Sequence, residues 1–218
     1  KPVKGAVKVH QDSGGLKKKY KIAFGADEAE VGDLNSAEFK PQAKLKRWGQ
    51  EAYLNIALPE TGIAEKEKSV DLKEDKIIWA SSKIGAAFYE KERKEVKVQG
   101  KKDFKEHTFV LNEDGGFEFE VILRENPLSN VLSLPIETGG LKFYYQAPLT
   151  QTEINKGIVR PDEAEGSYAV YHESKKDGAY KTGKAFHIYR PKIIDKNGYS
   201  IWGELNIDTA ARILKITI

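Results

Sequence analysis

The sequence predicts an all-β protein, an antiparallel β-sandwich or jelly-roll, with one short helix near 150–156. Three observations carry this. Apolar and polar residues alternate with period two, most strictly in 117–123, where Phe117, Phe119, Val121 and Leu123 share one face and Glu118 and Glu120 the other. Turn-forming clusters separate such runs: Asp12-Ser13-Gly14-Gly15, Pro59-Glu60-Thr61-Gly62, Asn112-Glu113-Asp114-Gly115-Gly116 and Asp195-Lys196-Asn197-Gly198. Asn and Gly tolerate the positive φ that hairpin turns demand. Only Thr150-Gln151-Thr152-Glu153 starts a helix convincingly. It fits a capping box, and the helix ends before Gly157.

Taken in order, residues 1–34 predict two short strands, VKGAVKV and KYKIAF, followed by an acidic loop, GADEAEVGDLN. In 43–58, Leu54, Ile56 and Leu58 fall on one face. Residues 63–76 are charge-rich and poor in large apolar groups, so a loop or an edge strand is expected. KIIWASSKIGAAFYE (76–90) predicts a strand pair or one long bent strand with Gly85 as a bulge, and 92–111 a polar hairpin. After 117–123 come VLSLPI (131–136) and LKFYYQ (141–146). Pro135 cannot donate to a ladder, which places its strand at an edge or a bulge. The last third adds strands at 166–172, 184–190, 199–207 and 212–218, with the turn at 195–198 between two of them.

At 218 residues the chain is long enough for one large sandwich or two small ones. Two lobes are expected, 1–111 and 112–218. Lys plus Arg number 36 and Asp plus Glu 33, so the signs nearly cancel. Lysines sit beside glutamates, as in EKEKSVDLKEDK (65–76), which describes a solvated face and argues against a nucleic-acid partner. No cysteine is present, which removes disulfides, thiolate nucleophiles and zinc knuckles. No run approaches the roughly 20 apolar residues of a membrane-spanning helix, so no membrane insertion is expected. The chain contains no methionine and ILKITI stops in mid-strand, so a fragment of a longer polypeptide is expected.

FEFEVIL, LKFYYQ, RPDEAEGSYAVYH (160–172), GKAFHIYRPKIIDKNG (183–198) and IWGELNI (201–207), taken together, resemble an uncharacterised β-rich segment of bacteriophage and metagenomic virion-associated or tail-region proteins. The order is also similar to a β-sandwich module of secreted bacterial proteins, through Arg190, Pro191, Asp195 and Gly198. Both resemblances cover about half the chain. Both imply a non-catalytic module in a virion or extracellular setting, and neither carries a catalytic residue.

Several residue sets have the composition of a reactive or ligand-binding site. His172 and His187 lie on neighbouring strands and, with Asp195 or Glu173, would supply metal ligands. The HxH and HExxH spacings are absent, so a cross-strand polar pair or two unrelated histidines is expected. Asp27, Glu28, Glu30 and Asp33 offer oxygens but lack a calcium-loop pattern. Glu118, Glu120 and Glu204 would suit a jelly-roll glycosidase only if two carboxylates faced each other across about 5 to 9 Å. Aromatic residues on strands either fill the core or stack on a sugar or a partner protein.

The resulting expectation is a structural or interaction module with no enzyme activity, cofactor or metal. A carbohydrate-binding sandwich is the first alternative and a glycan-active enzyme the second. The residues assigned to interaction are Trp48, Trp202, Tyr189, Tyr199, Leu214, Ile216 and Ile218. The last three are expected on an open sheet edge that pairs with neighbouring subunits or with the remainder of the polypeptide.

Overall fold

The computed structural model of the chain describes residues 1–11, 18–24, 27–35, 39–59, 69–80, 83–111 and 116–218. The turns expected at 12–15 and 112–115 lie outside the described residues, as does most of 59–62. The strands are β1 (Val7–Gln11), β2 (Lys18–Phe24), β3 (Asp27–Val31), β4 (Gln42–Arg47), β5 (Ala52–Ala57), β6 (Ser69–Lys73), β7 (Lys76–Ala80), β8 (Ile84–Lys91), β9 (Lys94–Gln99) and β10 (Glu106–Leu111). They continue with β11 (Gly116–Leu123), β12 (Val131–Gly139), β13 (Leu141–Gln146), β14 (Ser167–His172), β15 (Lys184–Ile188), β16 (Lys192–Ile194), β17 (Ser200–Trp202), β18 (Glu204–Asp208) and β19 (Ile213–Thr217). The single α-helix among the described residues, α1 (Gln151–Asn155), starts as the sequence predicts. Thr150 Oγ1 accepts the Glu153 N–H at 3.3 Å, and the Thr150 N–H donates to Glu153 Oε2 at 2.8 Å.

All strand pairings among the described residues are antiparallel, and the protein is an all-β sandwich. The largest sheet has the order β1-β2-β3-β4-β5-β12-β19-β18. Its inner face follows from period-two alternation. Ile22 opposes Ala29, Ala29 opposes Leu45, and Leu45 opposes Leu54, so one row of apolar side chains crosses four strands. Two smaller sheets, β11-β8-β7-β6 and β13-β14-β15, add their apolar faces to the same core. Trp79 lies edge-on to Phe39 at 6.3 Å and to Phe119 at 5.9 Å. The Tyr168 hydroxyl accepts the Ile207 N–H at 3.2 Å and ties β14 to β18. Strand pairing crosses from 1–111 to 112–218 twice, at β8–β11 and β5–β12, so hydrogen bonding runs on between the two expected lobes.

Four expectations are corrected here. The acidic stretch at 27–31 is a strand, not a loop, because Ala29 and Val31 are buried while Glu28 and Glu30 pair with lysines on the outer face. β12 is not an edge strand. Its first half pairs with β19 and its second half with β5, and Pro135 stands where the ladder changes partner, which is how a residue without an N–H is accommodated. The stretch 199–207 is two strands interrupted at Gly203. Finally, Phe117, Phe119, Val121 and Leu123 pack against the core but are only half-buried, since β11 is the outermost strand of its sheet.

The outer face of the large sheet is ionic. Lys46 Nζ lies 3.0 Å from Glu28 Oε1 and 2.6 Å from Glu30 Oε2, and Lys21 also pairs with Glu28. Burial opposes the Glu28 charge, but the hydrogen bonds from Lys21 and Lys46 outweigh it and lower the Glu28 pKa. Asp27 pairs with Arg47 and Asp33 with Lys40. The four carboxylates that offer oxygens to calcium are therefore held by cations of the protein itself.

Candidate functional site

The densest polar cluster is built on the β4–β5 turn. Trp48, Gly49 and Gln50 have φ of 50°, 66° and 79°, three consecutive left-handed residues of which two are not glycine. The Asp27 carboxylate holds this turn. Its Oδ1 accepts the Trp48 N–H at 2.9 Å and its Oδ2 meets Arg47 at 2.5 Å. The Trp48 ring packs on His172 at 5.4 Å and Tyr180 at 5.3 Å, with the Arg47 guanidinium 5.3 Å from its centre. Glu51, at the end of the turn, accepts from the Tyr180 hydroxyl at 2.6 Å, from His172 Nε2 at 3.3 Å and from Lys175 Nζ.

The protons of His172 and Glu51 in this cluster can be placed. His172 Nδ1 accepts the N–H groups of Ser174 and Lys175, so the ring proton sits on Nε2 and is directed to Glu51. Hydrogen bonds from Lys175 and then Tyr180 hold the Glu51 pKa down at about 2. Glu51 stays deprotonated at neutral pH and carries no proton to deliver, and each of its oxygens already accepts from a side chain of the protein. The arrangement clamps the β4–β5 turn to the β14–β15 connection.

A second pair has the composition of a nucleophile and its base. Ser167 Oγ lies 2.6 Å from His187 Nε2. The serine hydroxyl, however, donates to the Ala164 carbonyl at 2.5 Å, so Nε2 must carry the hydrogen and Oγ must accept it. A catalytic serine requires the reverse polarity. Ser167 is also fully buried. Burial, reinforced by Lys184 and Arg160, pushes His187 down to about 4, so it is neutral at physiological pH. Tyr189 stacks on it with a 4.6 Å centroid separation.

The β16–β17 hairpin differs from both clusters in facing solvent. Its turn is the one predicted. The Asp195 carboxylate accepts the N–H groups of Asn197 at 2.8 Å and Tyr199 at 2.9 Å, the Gly198 N–H donates to the Asp195 carbonyl, and Gly198 has φ +86°. The base is fixed by the Gly203 N–H donating to the Pro191 carbonyl at 2.9 Å and by Arg190 lying over the Trp202 ring at 5.4 Å. On this frame Ile194 is 64% exposed, Tyr199 76% and Ile201 59%.

The structure disperses the predicted interaction residues. Trp48 is covered by its clamp, Tyr189 by His187, and Trp202 by Arg190, while Tyr199 stands free at the hairpin tip. Leu214 is buried and Ile216 packs against the core. Their strand β19 is paired on both sides, by β12 and β18, which corrects the expectation of an open edge. Ile218 is exposed, and its N–H donates to the Asn130 carbonyl at 2.7 Å. His172 and His187 do not meet, since His187 opposes Ala169. Glu51, Lys175 and Tyr180 carry no signal of this cluster in the sequence. Glu51 and His172 stand 121 residues apart, and no local pattern signals their meeting.

Among the described residues, no three metal-ligating side chains are grouped and no helix is long and apolar enough to cross a membrane. No protein-family model, no curated protein and no solved structure matches the chain.

Proposed function

We propose that this protein is a non-catalytic contact module of a larger virion-associated or extracellular assembly, and that the β16–β17 hairpin makes the contact. The observation that carries the reading is the exposure of Ile194, Tyr199 and Ile201 on one braced two-stranded ribbon. Register places Ile194 and Ile201 on opposite faces of the ribbon, so the projection offers apolar groups on both sides to a partner that encloses it. The outer edges of β16 and β17 have no strand partner among the described residues, so a partner strand can add there. The two polar clusters support the same reading, because each directs its protons and lone pairs inward. The partner is a neighbouring subunit or the remainder of the same polypeptide.

Two assays test this. A photo-crosslinking residue at position 199 should capture the neighbouring subunit or adjoining polypeptide in the intact assembly, and the same group at the exposed Lys101 should not. Equal capture at both positions would remove the hairpin from the interface. A broad glycan and peptide substrate panel should release no product. Saturable hydrolysis abolished by one Glu or Asp substitution would replace the contact reading with an enzymatic one.

A further inference from the structure

A second feature, independent of the hairpin, lies on the outer side of the large sheet. A cleft of about 380 Å³ is lined by Tyr53 of β5, Ile136, Glu137 and Thr138 of β12, and Thr209 and Arg212 of the β18–β19 turn. Two of its walls are set by unusual backbone. Tyr53 stands opposite Gly139, and a Cβ at 139 would come 2.5 Å from the tyrosine ring, so the ring lies where only glycine leaves room. Arg212 has φ +57°, and its carbonyl accepts the Ile136 N–H at 2.9 Å, which pins it to β12. Left-handed backbone in a non-glycine residue persists only where its surroundings impose it, and such residues collect at ligand sites.

The side chains of this cleft also differ from the rest of the ionic face. Lys46, Glu28, Glu30, Asp27 and Asp33 are all paired. Glu137, Thr138, Thr209 and Arg212 make no side-chain hydrogen bond or ion pair with any described residue, and Lys40 reaches Glu137 only through longer-range attraction. One guanidinium, one carboxylate and the Thr209 hydroxyl are thus brought to one concave site without a protein partner, beside an aromatic ring, while Thr138 faces the same side of the sheet as Leu54 and lines the cleft with its backbone. A volume of this size accommodates one small ring compound.

We propose that this cleft binds a polyhydroxylated ring bearing a single carboxylate, the chemistry of an acidic sugar residue. The Arg212 fork matches a carboxylate in two parallel hydrogen bonds. Glu137 is an acceptor only and takes ring hydroxyls, while the Thr209 hydroxyl both donates and accepts. Tyr53 offers apolar surface to the ring C–H groups. The Glu137 charge disfavours a doubly charged anion, so phosphate is the wrong ligand for the intact cleft.

The test is a titration of the ¹⁵N-labelled whole chain with sodium glucuronate, glucose and inorganic phosphate, each followed by backbone amide shifts. Glucuronate should give saturable shifts confined to 53, 136–139 and 209–212. Glucose and phosphate should bind at least about tenfold more weakly, the equivalent of one charge-assisted contact. Arg212→Gln should weaken glucuronate by about tenfold. Glu137→Gln should weaken both sugars and strengthen phosphate, a reversal that general destabilisation does not produce. Gly139→Ala should displace the Tyr53 ring and weaken glucuronate while leaving the remote Ile201 amide unshifted. Absence of saturable shifts in these residues, phosphate binding as tightly as glucuronate, or unchanged glucuronate binding in Arg212→Gln would each overturn the proposal.

Discussion

At the scale of single residues, the clearest consequences concern protons. Glu51 has its pKa lowered from 4.5 to about 2 by Lys175 and Tyr180. A group whose folded value lies below its unfolded value binds fewer protons folded than unfolded, so its contribution to stability is present above about 4.5 and is lost as pH falls toward 2. Urea midpoints measured across that interval should fall for the natural chain and fall less for Glu51→Gln. Identical acid limbs would mean that the clamp does not depend on the charge. His187 shifts in the same direction, from 6.5 to about 4, through burial first. Its ring resonances should hold their neutral positions until pH nears 4, and a midpoint near 6.5 in an NMR titration would contradict the buried tautomer. Gln50 is exposed with φ 79°, so Gln50→Gly should stabilise the protein by about 0.5–1 kcal/mol by relieving a left-handed side chain, which thermal unfolding would register.

At the scale of elements, the hairpin and β11 offer contrasting tests. An added Cβ at Gly198 would meet nothing within 4 Å, so the penalty of Gly198→Val is one of backbone conformation alone. It should be about 1–2 kcal/mol, with Gly198→Asn distinctly milder. Phe119 is half-buried and packs edge-on to Trp79 and Phe88. Phe119→Ala should therefore cost about 2–3 kcal/mol, below the 3–5 kcal/mol of a fully buried phenylalanine. A denaturation midpoint that does not move would place the wrong face of β11 inward. Glu118 and Glu120 are not simply wet. Glu118 pairs with Lys91, and Glu120 meets Lys76 and accepts from the Tyr89 hydroxyl at 2.7 Å.

At the scale of the whole molecule, one core serves three sheets, so the end of the chain is as much a part of it as the beginning. Leu214 is 3% exposed and sits opposite Leu134 and Ile207. Leu214→Ala should cost about 2–5 kcal/mol in chemical denaturation. The triple variant I194S/Y199S/I201S should change stability by no more than about 0.5 kcal/mol per site, since those side chains face water. A loss as large as that of Leu214→Ala would show the hairpin packed onto the molecule and unavailable for contact.

Composition and local spacing were enough to determine the strand-rich architecture, the inward face of β11, the Thr150 capping box and the 195–198 turn. Each of these rests on residues within a few positions of one another, where side-chain period and backbone preference act directly. Pairing partners were decided by tertiary structure alone. Whether 27–31 is loop or strand depended on lysines and apolar residues brought alongside by β2 and β4. Pro135 by itself signals an edge or a bulge, because nothing in 131–136 shows that one strand changes partner midway. The same holds for β19, whose two neighbours come from distant parts of the chain. The Glu51 clamp and the Tyr53–Arg212 cleft also gather residues far apart in sequence, joined by sheet register, which is a long-range property of the folded molecule and leaves no periodic trace in any one segment.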